Sequence, residues 1–402
     1  MRLVIIESTL HGHVEPHIKA IVAEATRRGC QITLYNTREW LEDPAFVRVK
    51  QAGNGCLGAA MVSPWTHLLA TSWLSRLRNQ YRCWRSFAAT YREMDVGNRP
   101  DFIYVVNLDA LDKAAAILGS PFGDTPFGGM MVLPRFHHRA AGLVSAGSRC
   151  DRLYGHLFAS LLRTKSLRLV TTIDPLLAPW CRDLGLRESH KVAFVPDIGD
   201  LSPDEFSRSG ARSMLGLNQD AFVLLVYGLI NPSKGVRELL QAIDGDHWPV
   251  GLQLLVVGRP DEAMGALIAD QKFSMMQREG RVIARIGYAG ADLTSAAFRS
   301  ASAVWLGYKG HDNMSGVLCQ ATEAGVPVVA CRNGLVGLYT KAHGIGEVVN
   351  VDNPCEIVGA IRRLMSSSGP LAAYASNAAR LRNTHTPTVF GRTICDAIMS
   401  QL

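Results

Sequence analysis

Residues 305–334 read WLGYKGHDNMSGVLCQATEAGVPVVACRNG, and the fold is decided by how this stretch is parsed. The apolar run Ala303, Val304, Trp305, Leu306 predicts a buried strand. A polar, glycine-rich loop follows from Gly307 to Gly316. A helix is expected over about 315–323, and Gly325-Val326-Pro327 turns the chain into a second strand at 328–331. The loop carries Asp312, Asn313 and Ser315 in front of a helix N-terminus. The first N–H groups of a helix lack internal partners and carry the positive end of its dipole, so this arrangement suits an anionic ligand. Taken by itself it is equally an ordinary strand–loop–helix unit of an α/β sheet.

The same rhythm extends in both directions. Ahead of the stretch, strands are expected at 222–227, 252–257 and 282–286, with helices at 236–243, 261–279 and 293–300. Behind it come a turn at Gly334 to Gly337 and helices at 355–365 and 371–381. The N-terminal half starts with a strand at 3–7, a helix at 16–28 that repeats Ile18, Ile21, Val22 and Ala25 at helical spacing, and a strand at 31–35. An irregular segment at 39–58 and one or two helices at 66–93 follow. Further strands are expected at 102–107, 130–133, 167–171 and 191–195, with a helix at 152–164. Alternating strands and helices predict an α/β protein of two doubly wound, Rossmann-like parallel sheets whose carboxyl-end loops face a central cleft. The polar segment between about 200 and 216 is the expected boundary. The domains are then 1–205 and 206–385, and 386–402 is a C-terminal helix expected to pack back on the first domain.

Length supports two domains, because 402 residues exceed what one hydrophobic core sustains. Hydrophobic residues make up 48% and charged residues 19%, which fits a globular protein with large buried sheets. No uninterrupted apolar run is long enough to span a bilayer, and MRLVIIESTLHGH does not read as a signal peptide, so a cytoplasmic protein is expected. Nine scattered cysteines without a C-x-x-C pair suit reduced thiols better than disulfides or zinc. A formal charge of +7 calls for an anionic partner. Nucleic acid is disfavoured because no nucleic-acid-binding signature is present. Residues 66–93 mix Trp73, Tyr81, Trp84 and Phe87 with Arg76, Arg78, Arg82 and Arg85. They read either as a basic helix in peripheral contact with an anionic membrane or as a docked helix with a solvated arginine face.

Polar groups gather where strands end, which is where open α/β sheets bind ligands. His11, Gly12 and His13 follow the first strand, Asp109 follows FIYVVNL, and His137 and His138 follow MMVLPRF. Lys234 stands beside Gly235 in the loop that begins at Gly228, and Arg259 follows Gly258. Each of these is also readable as a solvated or structurally satisfied side chain.

As an ordered set, these landmarks resemble the nucleotide-sugar-binding half of the retaining family 4 glycosyltransferases of the GT-B fold. The loop Gly228 to Lys234-Gly235 is similar to the one whose lysine meets the donor diphosphate. The segment Leu252 to Arg259 and the run Ile286-Gly287-Tyr288-Ala289 to Leu306 are similar to the family's next two landmarks. Asp312 to Gln320, followed by Ala324-Gly325-Val326-Pro327-Val328-Val329-Ala330, resembles the acidic-x7-acidic donor loop and its ending. The resemblance implies a sugar transferred with retained configuration from a nucleotide-diphosphate sugar to a hydroxyl or amine acceptor, with no cofactor and no metal. It further implies donor contacts from Gly228, Lys234, Arg259, Asn313, Met314, Ser315, Gly316, Val317 and Gln320, and catalytic roles for Lys234, Asp312 and His137. His11, Gly12, His13, Asp109 and His138 fall on the acceptor or diphosphate side. Two positions depart from the pattern. Leu229 stands where an arginine is usual, and Gln320 replaces the second carboxylate, which removes charge assistance from its grip on a ribose diol. These departures keep open a second reading, a catalytically degenerate GT-B protein that binds a sugar nucleotide or partner without turnover.

Overall fold

The computed structural model describes residues 1–8, 14–68, 72–94, 97, 99–144, 150–199, 201, 206–366 and 369–402. The chain divides into unit 1, residues 1–197 with 387–402, and unit 2, residues 198–386.

Unit 1 is built on seven strands: β1 (Arg2–Ile6), β2 (Gln31–Asn36), β3 (Leu57–Met61), β4 (Phe102–Val105), β5 (Phe127–Met131), β6 (Leu167–Thr172) and β7 (Val192–Phe194). They lie in the order β3-β2-β1-β4-β5-β6-β7, and every pairing is parallel. Strands buried on both faces must be apolar throughout, and the FIYV of β4 is fully buried. Val4, Ile6, Phe87, Phe122, Phe127 and Phe158 anchor the core on one face. The helix Val14–Arg27 packs against the last helix, Pro387–Met399. Gly391 makes this contact possible, since a Cβ there would stand 2.3 Å from the Ala20 carbonyl oxygen. Arg28 fastens the pair by reaching Glu24 and Asp396, each at 2.7 Å.

Unit 2 carries six strands: β8 (Phe222–Tyr227), β9 (Leu252–Gly258), β10 (Val282–Ile286), β11 (Ala303–Leu306), β12 (Val328–Cys331) and β13 (Gly346–Val349). Their order is β10-β9-β8-β11-β12-β13, again all parallel. Trp305, Leu254, Leu239, Phe273 and Ile361 lie in its core. In both units the strand order reverses once, between β1 and β4 and between β8 and β11. At that switch point two neighbouring loops diverge to opposite faces and leave room for a ligand.

Local elements depart from the sequence reading in several places; the polar segment expected as a boundary, for one, holds the helix Arg208–Leu215, capped by the Ser207 side chain. The segment at 39–58 holds two short helices, Arg38–Leu41 and Pro44–Ala52, and the edge strand β3. Thr37 and Asp43 cap the two helices with side-chain oxygens, and Pro44 sits in the first turn of the second. The helix expected at 261–279 is broken into Glu262–Ile268 and Gln271–Arg278. Gly334 opens a helix, Gly334–His343, and does not mark a turn. Its φ is +80°, and a Cβ would lie 2.5 Å from the His311 carbonyl oxygen, so the glycine serves a close backbone approach.

The arginine-rich region is one helix, Trp73–Glu93, with a capping box formed by Ser72 and Ser75. Phe87 and Cys83 face the core. Leu74 and Tyr81 are about half exposed, at 49% and 47%, on a face they share with Arg78 and Arg85. No helix among the described residues is long and apolar enough to cross a membrane. All nine cysteines are free thiols, and burial pushes those of Cys83, Cys181 and Cys395 up to about 12.

Candidate functional site

The switch point of unit 2 is assembled from three loops that only glycine allows to meet. The loop after β8 crosses the end of β9 so closely that a Cβ on Gly258, φ +143°, would lie 1.9 Å from the Gly228 carbonyl oxygen. Farther along, a Cβ on Gly235, φ +63°, would lie 2.0 Å from the Gly307 carbonyl oxygen. Hydrogen bonds then lock the β8 and β11 loops together. The Trp305 indole Nε1 donates to the Lys234 carbonyl at 2.9 Å, and the Lys309 N–H donates to the Ser233 carbonyl at 2.7 Å. The Lys309 ammonium is itself occupied, bound by Asp352 and Glu238 at 2.8 and 2.7 Å, and those two carboxylates hold it above the usual lysine range.

This framework brings Lys234, Tyr308 and Ser315 together. The Lys234 Nζ donates to the Tyr308 hydroxyl at 2.7 Å and lies 4.0 Å from the centre of its ring. The Ser315 hydroxyl donates to the same oxygen at 3.4 Å. Tyr308 is only 4% exposed. Its oxygen therefore accepts twice, and its own proton meets no acceptor among the described residues.

The helix Gly316–Glu323 begins directly behind this cluster. Ser315 gives it no side-chain cap, and its hydrogen bonds to the loop start with Leu318 N–H at 2.9 Å and Cys319 N–H at 3.2 Å from the Ser315 carbonyl. The N–H groups of Gly316 and Val317 are thus left facing the loop, a ready anion-binding feature. Asn313 is 8% exposed with a buried Oδ1 that has no partner among the described residues. Met314 is buried, and its carbonyl accepts from the His311 ring at 3.1 Å. The carbonyl of Asp312 accepts from Leu335 N–H at 3.0 Å, which ties the loop to the next helix. Gln320 is half-buried on the second turn of the helix, with an amide that makes no hydrogen bond to any described residue. Arg259 is exposed beyond the end of β9, and Leu229, in the place expected for a second cation, is 50% exposed. Sequence reasoning missed Tyr308. The available signal was an aromatic residue two positions beyond a strand end at a predicted ligand-binding edge.

Unit 1 distributes its candidates differently. His11, Gly12 and His13 lie outside the described residues. Asp109 ties β4 to β5, accepting the N–H groups of Val132 at 2.6 Å and Leu133 at 3.1 Å. Burial, reinforced by the neighbouring Asp112 carboxylate, pushes its carboxyl up to about 7 against the lowering effect of those hydrogen bonds. His137 and His138 are sealed, 0% and 1% exposed, and both address Asp174. Burial acts to raise that carboxyl, but the two imidazoles outweigh it and hold it at about 2. A hollow of about 1250 Å³ opens at the carboxyl ends of β1 to β4, lined among others by Ser8, Thr37, Met61, Trp65, His67 and Asn107. Another hollow, of about 690 Å³ around Trp248, sits at the amino-terminal ends of β8 and β9, the side of unit 2 without the Lys234 cluster.

Comparison with known proteins agrees with this geometry. Residues 221–367, which span β8 to β13, match the sequence model of the family described as glycosyl transferases group 1. No curated protein matches the chain. Among solved structures, HepE from Anabaena in complex with UDP and glucose superposes with a TM-score of 0.66 at 17% identity, over 100% of both chains. Sucrose-phosphate synthase from Thermosynechococcus elongatus gives 0.70 at 13% identity, over 99% of this chain and 98% of that one. WaaG, a glycosyltransferase involved in lipopolysaccharide biosynthesis, gives 0.64 at 16%, over 99% of both. At these identities the likeness establishes the architecture, which is the two-domain GT-B fold.

Proposed function

We propose that this protein is a retaining glycosyltransferase of family 4 that moves a sugar from a nucleotide-diphosphate sugar to a hydroxyl or amine acceptor. The observation that carries the proposal is the meeting of Lys234, Tyr308, Ser315 and an uncapped helix N-terminus at the switch point of unit 2. Negative charge builds on the diphosphate as the glycosidic bond breaks. Cations and N–H donors already fixed in place stabilise that charge without reorganising. In this reading Lys234 and the Gly316 and Val317 N–H groups take the diphosphate, and Arg259 supplies the second cation that Leu229 does not. Asn313 and Asp312 face the donor sugar, and Gln320 holds the ribose. Since the positive charge comes from side chains and backbone, the transfer step is proposed to need no metal on the diphosphate. The acceptor enters unit 1 at the hollow beside Trp65 and Asn107, near the ends of the strands that carry Asp109 and His137. The protein works in the cytoplasm, with the arginine face of the helix Trp73–Glu93 available to the inner face of an anionic membrane.

The second reading, a sugar-nucleotide binder without turnover, draws on Leu229 and Gln320. Thermal shift with UDP-, GDP-, ADP- and dTDP-sugars tests the core of both, since a ligand that binds only the folded state raises its melting point. UDP-sugars come first because HepE has been crystallised with UDP-glucose. A rise with one nucleotide, followed by release of its diphosphate when acceptors are added, supports the transferase. A rise without release supports the binder, and no rise with any nucleotide contradicts both.

A further inference from the structure

The most demanding chemistry outside the donor loop lies in unit 1, where the turn after β5 meets the end of β6. His137 Nε2 is 3.0 Å and His138 Nε2 is 2.8 Å from the same oxygen, Asp174 Oδ2. The other oxygen, Oδ1, is already taken by the Leu176 N–H at 2.8 Å. Of the two imidazoles, only His138 makes a hydrogen bond to the carboxylate. His137 has no hydrogen-bond partner on either ring nitrogen among the described residues, although its side chain is fully buried, and His138 Nδ1 has none either. Buried polar atoms are almost always satisfied, and an orphaned one points to a missing water or ion.

Here two ring nitrogens address one carboxylate oxygen, and the three ligand atoms all lie within 4.8 Å of one another. Metal–ligand bonds of roughly 2.0–2.2 Å place tetrahedral ligands roughly 3.3–3.6 Å apart, and the two nitrogen–oxygen separations here, 3.0 and 2.8 Å, need only a small opening to admit the ion. We infer that His137, His138 and Asp174 form a binding site for one divalent transition-metal ion of the borderline class, with zinc as its representative. Two imidazoles and a carboxylate suit zinc, iron or nickel and not the oxygen-seeking magnesium or calcium.

The supports of the site are built in. The turn is pinned by His138 N–H to Arg135 O at 3.1 Å, Ala141 N–H to His137 O at 3.0 Å and Leu143 N–H to His138 O at 3.0 Å. Asp174 N–H donates to Thr172 Oγ1 at 3.1 Å, which holds its backbone, and the Leu176 N–H orients its carboxylate. Phe136 and Trp180 stand 5.6 and 5.8 Å from the His137 ring and enclose it in an apolar wall. No short metal-ligand spacing announces the site, because the carboxylate lies 36 residues from His138. The ion belongs to unit 1, separate from the proposed diphosphate loops of unit 2.

Zinc is the probe, and the whole chain is the material. After incubation with zinc and desalting, elemental analysis is expected to find about one zinc per chain, and the melting temperature is expected to rise by roughly 5–10 °C at a hundredfold excess over Kd. Cobalt in place of zinc is expected to give visible absorption bands of nitrogen and oxygen coordination. His137→Gln and Asp174→Asn, both close in shape to the native side chains, are expected to abolish stoichiometric retention and the cobalt bands. Wild-type protein that retains no zinc and shows no thermal shift overturns the site before any variant is made. Retention that persists equally in both variants also overturns it and assigns the ion to an adventitious surface position.

Discussion

The two sheets share a strand order and a single reversal, yet they end in opposite chemistry. At the switch point of unit 2 the groups are offered to a ligand: a lysine and a phenol sharing one hydrogen bond, a helix without a side-chain cap and a glutamine amide with no hydrogen bond among the described residues. In unit 1 the named polar side chains beyond β4 to β6 are buried inward, Asp109 on two backbone N–H groups and the two histidines facing Asp174. What unit 1 leaves open is a hollow lined by Trp65 and Met61 together with the charged Arg38, Glu39 and Glu93. The difference teaches that the same scaffold can present a fixed cationic cradle at one site and a wider hollow of mixed charge at another. A charged donor needs the first, and an acceptor of variable structure needs the second.

The comparison breaks most readily at Lys234. Lys234→Ala is expected to lower kcat/KM by about 10²–10³-fold while circular dichroism and melting temperature stay near wild type, the magnitude of losing one fixed transition-state donor. The backbone contact that positions the cradle comes next. Gly258→Ala forces a Cβ to within 1.9 Å of the Gly228 carbonyl at a φ of +143°. It is expected to destabilise unit 2 by about 3 kcal/mol in denaturant melts and to weaken donor binding together with stability.

On the committed side, Asp109 supplies a pH test. Its carboxyl is raised to about 7 from an ordinary 3.8, so the folded state holds a proton that the unfolded state has released. Its contribution is fully present below about pH 4 and is lost as pH rises through about 7. Wild type is therefore expected to lose roughly 1–3 kcal/mol more than Asp109→Asn between pH 5 and 7.5, read from paired urea melts. Glu24 and Asp174, both held at about 2, lose their contributions only in stronger acid and leave that window clear. The mildest change is Gln320→Glu. Restoring the carboxylate is expected to tighten donor binding by roughly 3–10-fold in calorimetry, the gain of one charge-assisted hydrogen bond to a diol.

Much of this was legible in the chain itself. Continuous apolar runs such as FVLLVY and LQLLVV announce strands buried on both faces, and Lys234-Gly235 and the Asp312–Gln320 loop stand out because glycines and polar residues interrupt that pattern at strand ends. The rest depended on non-local facts. The helix Arg38–Leu41 has only four residues and is held by its Thr37 cap. No periodicity could therefore reveal it. The glycine at 334 has the composition of a turn and the function of a packing contact. Tyr308 gains its meaning only from a lysine 74 residues away, and the two histidines gain theirs from Asp174.

The central claim is that the Lys234 cluster holds the diphosphate of a sugar donor that the protein uses. Isothermal calorimetry with the nucleoside diphosphate and the matching monophosphate, on wild type and Lys234→Ala, tests it most directly. The expected result is that wild type prefers the diphosphate by about tenfold or more and that this preference collapses in the variant. Equal affinity of wild type for the two nucleotides, or an undiminished diphosphate preference in Lys234→Ala, would contradict the account.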